Sequence, residues 1–277
     1  MMKTMTLIPA GGLANRIYAI ASAIGFCRDN NIRLKIIWAK DWGMGTTFHQ
    51  ILSLNPEIKN VEIINAKWYH WLHLNPRKGN LWLPALYQRL FFDVQINELK
   101  AIPAHDNLIK RFLQAKTAIH LISFSLFYEW EGMFDILKPL DIIQNQINKQ
   151  TSIFANQRVI GIHIRRSDHR KSIEESSTDL FIDKINQEIE NDSSTKFYLA
   201  TDSEEEKQNL KKLFGSKIMF SLQKAKRGSE SGIIHALIEL FTLANTKKIY
   251  GSSGSTYSML AAEIGNIPLE IVIKKGI

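Results

Sequence analysis

The strongest constraint on this fold is an alternation in the second half of the chain. Short apolar or β-branched runs, RVIGIHI (158–164), KFYLA (196–200), KIMF (217–220), KKIY (247–250) and LEIVI (269–273), are separated by stretches with helical periodicity at 179–190, 203–213, 230–244 and 256–264. RVIGIHI is a β-branched run of the kind found in strands covered on both sides. A parallel neighbour requires a crossover long enough for a helix, so strand–helix–strand repetition builds a parallel α/β sheet.

The first half carries the same pattern less regularly. Strands are expected at 5–9, 33–38, 61–64 and 118–122, and helices at 13–28, near 106–115 and at 133–148. A chain of 277 residues has room for two such sheets. The Gln/Asn-rich stretch 145–157 marks the expected boundary, giving an N-terminal α/β half at 1–150 and a C-terminal Rossmann-like half at 151–277.

Composition narrows the function classes. Lys and Arg number 35 and Asp and Glu 27, a net charge of +8, which points to an anionic partner: nucleic acid, an anionic membrane or a phosphorylated small molecule. Cys27 is the only cysteine, so neither an intrachain disulfide nor a Cys-rich zinc site can form. Gly11, Gly12, Asn15 and Arg16 interrupt the apolar N-terminus, so a targeting signal is not expected, and no run is long enough to span a bilayer. The Asp-x-Asp, HExxH, GxSxG and P-loop patterns are all absent.

Four strand-to-helix junctions carry chemistry-bearing residues. GGLANR (11–16) opens a helix with a tight turn, free helix N–H groups, Asn15 and Arg16. HIRRSD (163–168) ends a buried strand with two guanidinium groups. Successive extended residues point to opposite sides, so one Arg can face a ligand while the other pairs internally, with Asp168 as a candidate. ATDS (200–203) places Asp202 where a carboxylate can accept from a guanine edge, with plain helix capping as the alternative. GSSGST (251–256) combines small residues, hydroxyls and a helix start, the makings of a phosphate cradle, and the loop 221–229 adds Arg227. His49, His70, His73, His105 and His120 lack ligand spacing and read as structural or surface residues, and Glu204, Glu205 and Glu206 read as a solvated first turn.

GGLANR, HIRRSD, YLATDS (198–203) and GSSGSTYSMLAAE (251–263), in that order, resemble the fucosyltransferase superfamily, which includes bacterial nodulation-type α1,6-, α1,2- and protein O-fucosyltransferases. The resemblance covers roughly 8–26 and 157–265, and 40–150 carries none of it. It implies a GT-B-like fold of two Rossmann-like halves with a cleft between them, GDP-fucose as donor substrate, inversion at the anomeric carbon, and neither an obligatory metal nor a cofactor. Carried over, Arg165 contacts the donor diphosphate, with Arg166 beside it. His163 lines the nucleotide pocket and Asp202 reads guanine. Ser253, Ser255 and Thr256 cradle phosphate, and Asn15 and Arg16 face the donor from the N-terminal half. The α1,6 branch has a suspected base shortly after the Arg-Arg-x-Asp run. Here the corresponding position is Ile173, and Glu174 and Glu175 follow it.

The acceptor is expected in the N-terminal half, an oligosaccharide or a lipid-linked glycan. The aromatic segment 65–92 offers three readings: core packing, sugar stacking, or peripheral membrane contact, since Trp68, Trp71 and Trp82 lie near Lys67, Arg77, Lys78 and Arg89. The expected location is cytoplasmic, with the inner membrane face as the alternative. Two other functions compete: a transferase of the same fold using another nucleotide sugar, and a non-catalytic basic module for glycan or nucleic acid. The scattered basic residues argue against nucleic acid. Residues 1–150 hold 17 basic against 11 acidic residues and residues 151–277 hold 18 against 16, so most of the excess charge lies on the acceptor half.

Overall fold

The computed structural model describes residues 2–102, 105–167, 170–224, 226 and 228–274; for 105, 106 and 171 the description covers the backbone alone. The chain forms two compact units, Met1–Lys138 and Pro139–Ile277.

The first unit contains β1 (Thr4–Pro9), α1 (Leu13–Asp29), β2 (Arg33–Trp38), β3 (Leu52–Leu54), β4 (Val61–Asn65), α2 (Leu83–Phe91), β5 (Val94–Asn97), α3 (His105–Gln114), β6 (Ala118–Ser123) and β7 (Leu137–Pro139). Five strands form a parallel sheet in the order β4-β2-β1-β6-β5. Helix α1 is buried along almost its whole length, which is why it is rich in Ala and Gly. At Gly25 a Cβ would lie 2.1 Å from the Trp130 indole, so only glycine lets that ring lie against the helix.

The second unit contains α4 (Asp141–Thr151), β8 (Val159–Ile164), α5 (Arg170–Glu175), α6 (Thr178–Asn191), β9 (Lys196–Thr201), α7 (Glu204–Phe214), β10 (Ile218–Met219), α8 (Glu230–Ala244), β11 (Ile249–Ser252), α9 (Thr256–Gly265) and β12 (Leu269–Val272). Its sheet is parallel in the order β10-β9-β8-β11-β12. Strand β8 is buried at every residue, and Ile160, Ile162 and Ile164 pack with Phe181, Ile185 and Phe197 in the core. The chain leaves β8 toward β9 and returns on its other side at β11, so the order reverses between β8 and β11. Ligands of open α/β sheets bind at such a switch point, beyond the carboxyl ends of the strands.

Three local expectations change. The helix expected at 133–148 begins at Asp141, because residues 137–139 pair with β3. The polar stretch expected to be a boundary is largely helix α4, whose Ile143 and Ile147 are buried while Asn145, Gln146 and Asn148 face outward; the units divide earlier, at Lys138/Pro139. The polar loop after β8 contains the short helix α5.

Buried imidazoles make this fold sensitive to acid. Desolvation lowers His73 to about 4 and His120 to about 3 in the first unit, and His235 to about 4 in the second. His73 and His120 stack with centroids 5.7 Å apart, and His73 Nδ1 and His120 Nε2 have no hydrogen-bond partner among the described residues. A base depressed in the folded state stabilises fully above its unfolded value of about 6.5 and loses that contribution as pH falls through its folded value. Burial raises Glu239 to about 8, so its contribution has the opposite sign and is lost as pH rises from about 4.5 to about 8. The three histidines outweigh it on the acid side. Urea unfolding should therefore show net proton uptake on unfolding and falling stability between about pH 6.5 and pH 4.

Candidate functional site

The switch point of the second unit is held from two sides. On the β11 side, the fully buried Ser252 hydroxyl accepts from the Arg165 N–H (3.1 Å) and donates to the His163 carbonyl (3.3 Å). On the β9 side, one carboxylate oxygen of Asp202 accepts from the Arg166 N–H (2.7 Å), while the other accepts from the Ser167 N–H and hydroxyl. Two short side chains from neighbouring strand ends thus fix the backbone where the chain leaves β8.

The two arginines divide as their alternation requires. The guanidinium of Arg166 turns inward: Nε meets Glu206 at 2.8 Å, one terminal nitrogen donates to Thr178 Oγ1 (3.1 Å), and the other donates to the Arg165 carbonyl (3.1 Å). Arg166 and Glu206 are both largely buried, and a guanidinium at a strand end is tolerated there because it is paired and multiply hydrogen-bonded. Arg165 is half-buried and stands between the two clamps.

The loop 251–256 is equally constrained. At Gly251 a Cβ would come 2.6 Å from Ser258 Oγ, so glycine permits the close approach of α9. Gly254 takes φ +66°, the left-handed turn into that helix. Helix α5 docks on Ser253: Ser176 Oγ accepts from its N–H (2.9 Å), its carbonyl accepts from Ser172 Oγ, and its hydroxyl donates to Glu175. The buried Ser255 hydroxyl lies 3.4 Å from His163 Nδ1, and the His163 ring lies against Tyr257 with centroids 5.0 Å apart. Ser255 caps α9 without a side-chain hydrogen bond, and Thr256 is the first residue of the helix.

The site expected from sequence is therefore redistributed. His163, Arg165, Ser255 and Thr256 gather at the switch point. Asp202 is there too, but it spends its carboxylate on the β8 loop, because β9 lies beside β8 and ends level with it. All three polar groups of Ser253 serve α5 rather than an open cradle. Glu206, expected in solvent, is the partner of Arg166. Thr178 is the first residue of α6 and bridges Arg166 to Glu206; Ser177 occupies the cap position. Glu174 is exposed and paired with Arg170 at 2.6 Å, whereas Glu175 faces the 251–256 loop. Asp168 and Arg227 lie outside the described residues.

Arg16 departs most from expectation. It is 1% exposed, donates from Nε to the Gly11 carbonyl (3.0 Å) and from a terminal nitrogen to the Ala39 carbonyl (2.7 Å), pairs with Asp41, and lies over the Trp38 ring at 4.9 Å. Burial lowers its pKa to about 10, with Asp41 opposing the shift. It pins two loops of the first unit and is not displayed to a ligand. Asn15 is half-buried against Gly11, whose φ is +77°. Sequence reading missed Ser172 and Ser176, since single hydroxyls in a short helix carry no motif, and it gave no individual role to Ser252 and Tyr257 within the 251–263 motif. Among the described residues no three His, Cys, Asp or Glu side chains gather as a metal-binding set.

Two parallel α/β units, the second with its switch point between β8 and β11, give the chain a GT-B-like fold. More particularly, it is the fold of the fucosyltransferases. The chain is similar to NodZ α1,6-fucosyltransferase co-crystallised with GDP, at 17% identity and a TM-score of 0.64 over 94% of this chain and 92% of that one; a NodZ structure from Bradyrhizobium aligns comparably. It is similar to a variant of Arabidopsis thaliana FUT1 in complex with GDP, at 13% identity and a TM-score of 0.64 over 97% and 70% of the two chains. It is also similar to POFUT1 in complex with GDP, at 11% identity and a TM-score of 0.58 over 99% and 98%. No family model and no curated protein sequence matches the chain.

Replacing Arg16 leaves two carbonyls and a carboxylate without their buried donor. Arg16→Ala should lower the unfolding free energy by roughly 2–3 kcal/mol in urea titrations. Arg16→Lys should recover only part of it, because one ammonium cannot span three acceptors.

Proposed function

We propose that this protein is an inverting, metal-independent glycosyltransferase that moves fucose from GDP-fucose to a hydroxyl of a glycan acceptor. The observation that carries the reading is Arg165, held between the Ser252 and Asp202 clamps at the switch point. The fold it shares with fucosyltransferases solved with GDP supports the choice of donor.

In this reaction the acceptor oxygen attacks the anomeric carbon, the bond from that carbon to the diphosphate oxygen breaks, and its electron pair leaves with GDP. Charge builds on the leaving diphosphate, and a preorganised guanidinium is the group suited to hold it. Arg165 has that role, assisted by Ser255, Thr256 and the N-terminus of α9, where helix N–H groups favour an anion. His163 with Tyr257 forms the floor of the nucleotide pocket. Arg166, Glu206, Asp202, Ser252 and Ser253 act as positioning residues that hold the two loops. The acceptor proton goes to a carboxylate. The candidates are Glu174, which is exposed and paired with Arg170, and Glu175, which faces the 251–256 loop and accepts from Ser253. The acceptor is an oligosaccharide or a lipid-linked glycan bound by the first unit. Among the described residues no helix is long and apolar enough to cross a membrane.

A thermal-shift panel in EDTA should show stabilisation by GDP and GDP-fucose and not by UDP or ADP. Arg165→Ala should cut transfer and donor hydrolysis by about 100-fold or more while the protein stays folded. Near-normal turnover in that variant sinks the assignment of the site. Glu174→Gln and Glu175→Gln, tested separately, should identify the base as the one whose loss cuts transfer by about 100-fold or more while GDP still binds; near-normal transfer in both removes the two carboxylates from that role.

A further inference from the structure

Helix α2 in the first unit is built inside out. A helix on a globular surface normally turns its leucines inward and its polar residues outward. Here Pro84 and the polar Gln88 face the protein, and Gln88, 5% exposed, donates to the carbonyls of Leu72 (3.2 Å) and Leu74 (3.0 Å). Leu83, Leu86 and Leu90, at i, i+3 and i+7, form the opposite face and stand in solvent, Leu90 at 70% exposure, with Phe91 beside them.

The approach to the helix extends this face. Leu81 and Trp82 take φ of +51° and +58°, a left-handed conformation that is costly for bulky residues. The strained pair leaves Leu81 78% exposed and Trp82 half-exposed at the start of α2. Trp68, in the short helix packed beside α2, is 84% exposed.

The charge along this face is predominantly positive. From residue 63 to residue 92 the chain contains no Asp or Glu, while Lys67, Arg77, Lys78 and Arg89 are all exposed. Lys100 adds a fifth cation, its ammonium 5.0 Å from the Trp82 ring centre. Core packing does not account for leucines that face water, and a protein partner does not by itself account for a rim in which five cations stand against the single exposed carboxylate of Asp93.

We infer that α2 and the Leu81–Trp82 turn form a membrane-docking face that seats peripherally on a bilayer with anionic headgroups. The leucines and Trp82 enter the boundary between headgroups and acyl chains, where indole rings are favoured, and the Lys and Arg side chains meet the phosphates. The inference does not depend on which nucleotide sugar the second unit binds. A lipid-linked acceptor would follow naturally from it.

The test is co-sedimentation of the full chain with vesicles of phosphatidylcholine alone and of phosphatidylcholine mixed with phosphatidylglycerol. Binding is expected to the mixed vesicles only, and to fall with added salt. Leu86→Ser combined with Leu90→Ser should weaken it by about tenfold or more. Lys78→Glu combined with Arg89→Glu should weaken it by roughly 30-fold or more. Circular dichroism checks that both surface variants stay folded, and neither pair belongs to the proposed catalytic site, so GDP binding should be unchanged. The inference is overturned if the wild-type chain ignores anionic vesicles or if both folded variants sediment as it does. It is equally overturned if the protein is a dimer that Leu86→Ser with Leu90→Ser converts to monomer without vesicles having bound, since the face then belongs to a second copy.

Discussion

The candidate site depends on how a strand buried on both faces can end in two adjacent guanidinium groups. Strand β8 offers neither arginine a solvent-facing stretch to retreat along. The pleat separates them: Arg166 turns back into the unit, where Glu206 and Thr178 meet its donors. Removing such a cation from water is costly unless it is paired and hydrogen-bonded, and Arg166 is both. Its backbone, with that of Arg165 and Ser167, is then fixed by Ser252 and Asp202. Arg166 is consumed in building the loop, and the backbone of Arg165 is fixed with it.

The first unit starts from the same pattern and arrives at the opposite result. Its central strand β1 is also buried and is followed by a glycine turn, an asparagine and an arginine. Helix α1 begins immediately after that turn and is buried on nearly all sides, so Arg16 has nowhere to go but inward. It satisfies itself on Gly11, Ala39 and Asp41. An arginine after a strand therefore has no fixed meaning. The deciding variable is whether the following segment leaves the unit or plunges back into it.

Long elements were legible because periodicity accumulates over them. The strands at 5–9, 33–38 and 158–164 and the helices at 13–28 and 230–244 all lie within a residue or two of their expected positions. Strands β3, β5 and β7 and helix α5 have three to six residues each, too few for a period to register against the surrounding loops. Helix α2 lies in the aromatic segment 65–92, for which no helix was expected. Its apolar pattern is real, but pattern alone carries no information about which side faces the protein, and Gln88 rather than leucine fills the inner position. The motif residues His163, Arg165, Ser255 and Thr256 gather at the switch point, while Asp202, Ser253 and Arg16 are spent on the scaffold.

By itself the sequence determined that this protein is built from parallel α/β sheets, that its polar motifs fall at strand-to-helix junctions, and that its excess positive charge lies in the first half. These follow from local periodicity, turn chemistry and counting. The tertiary structure alone decided which polar groups are consumed and which are displayed. Asp202 reaches across 36 positions of sequence to Arg166, and Ser252 across 87 to Arg165. A hydrogen bond is made within about 3 Å, and that proximity arises only when parallel strands lie side by side and end at the same edge of the sheet.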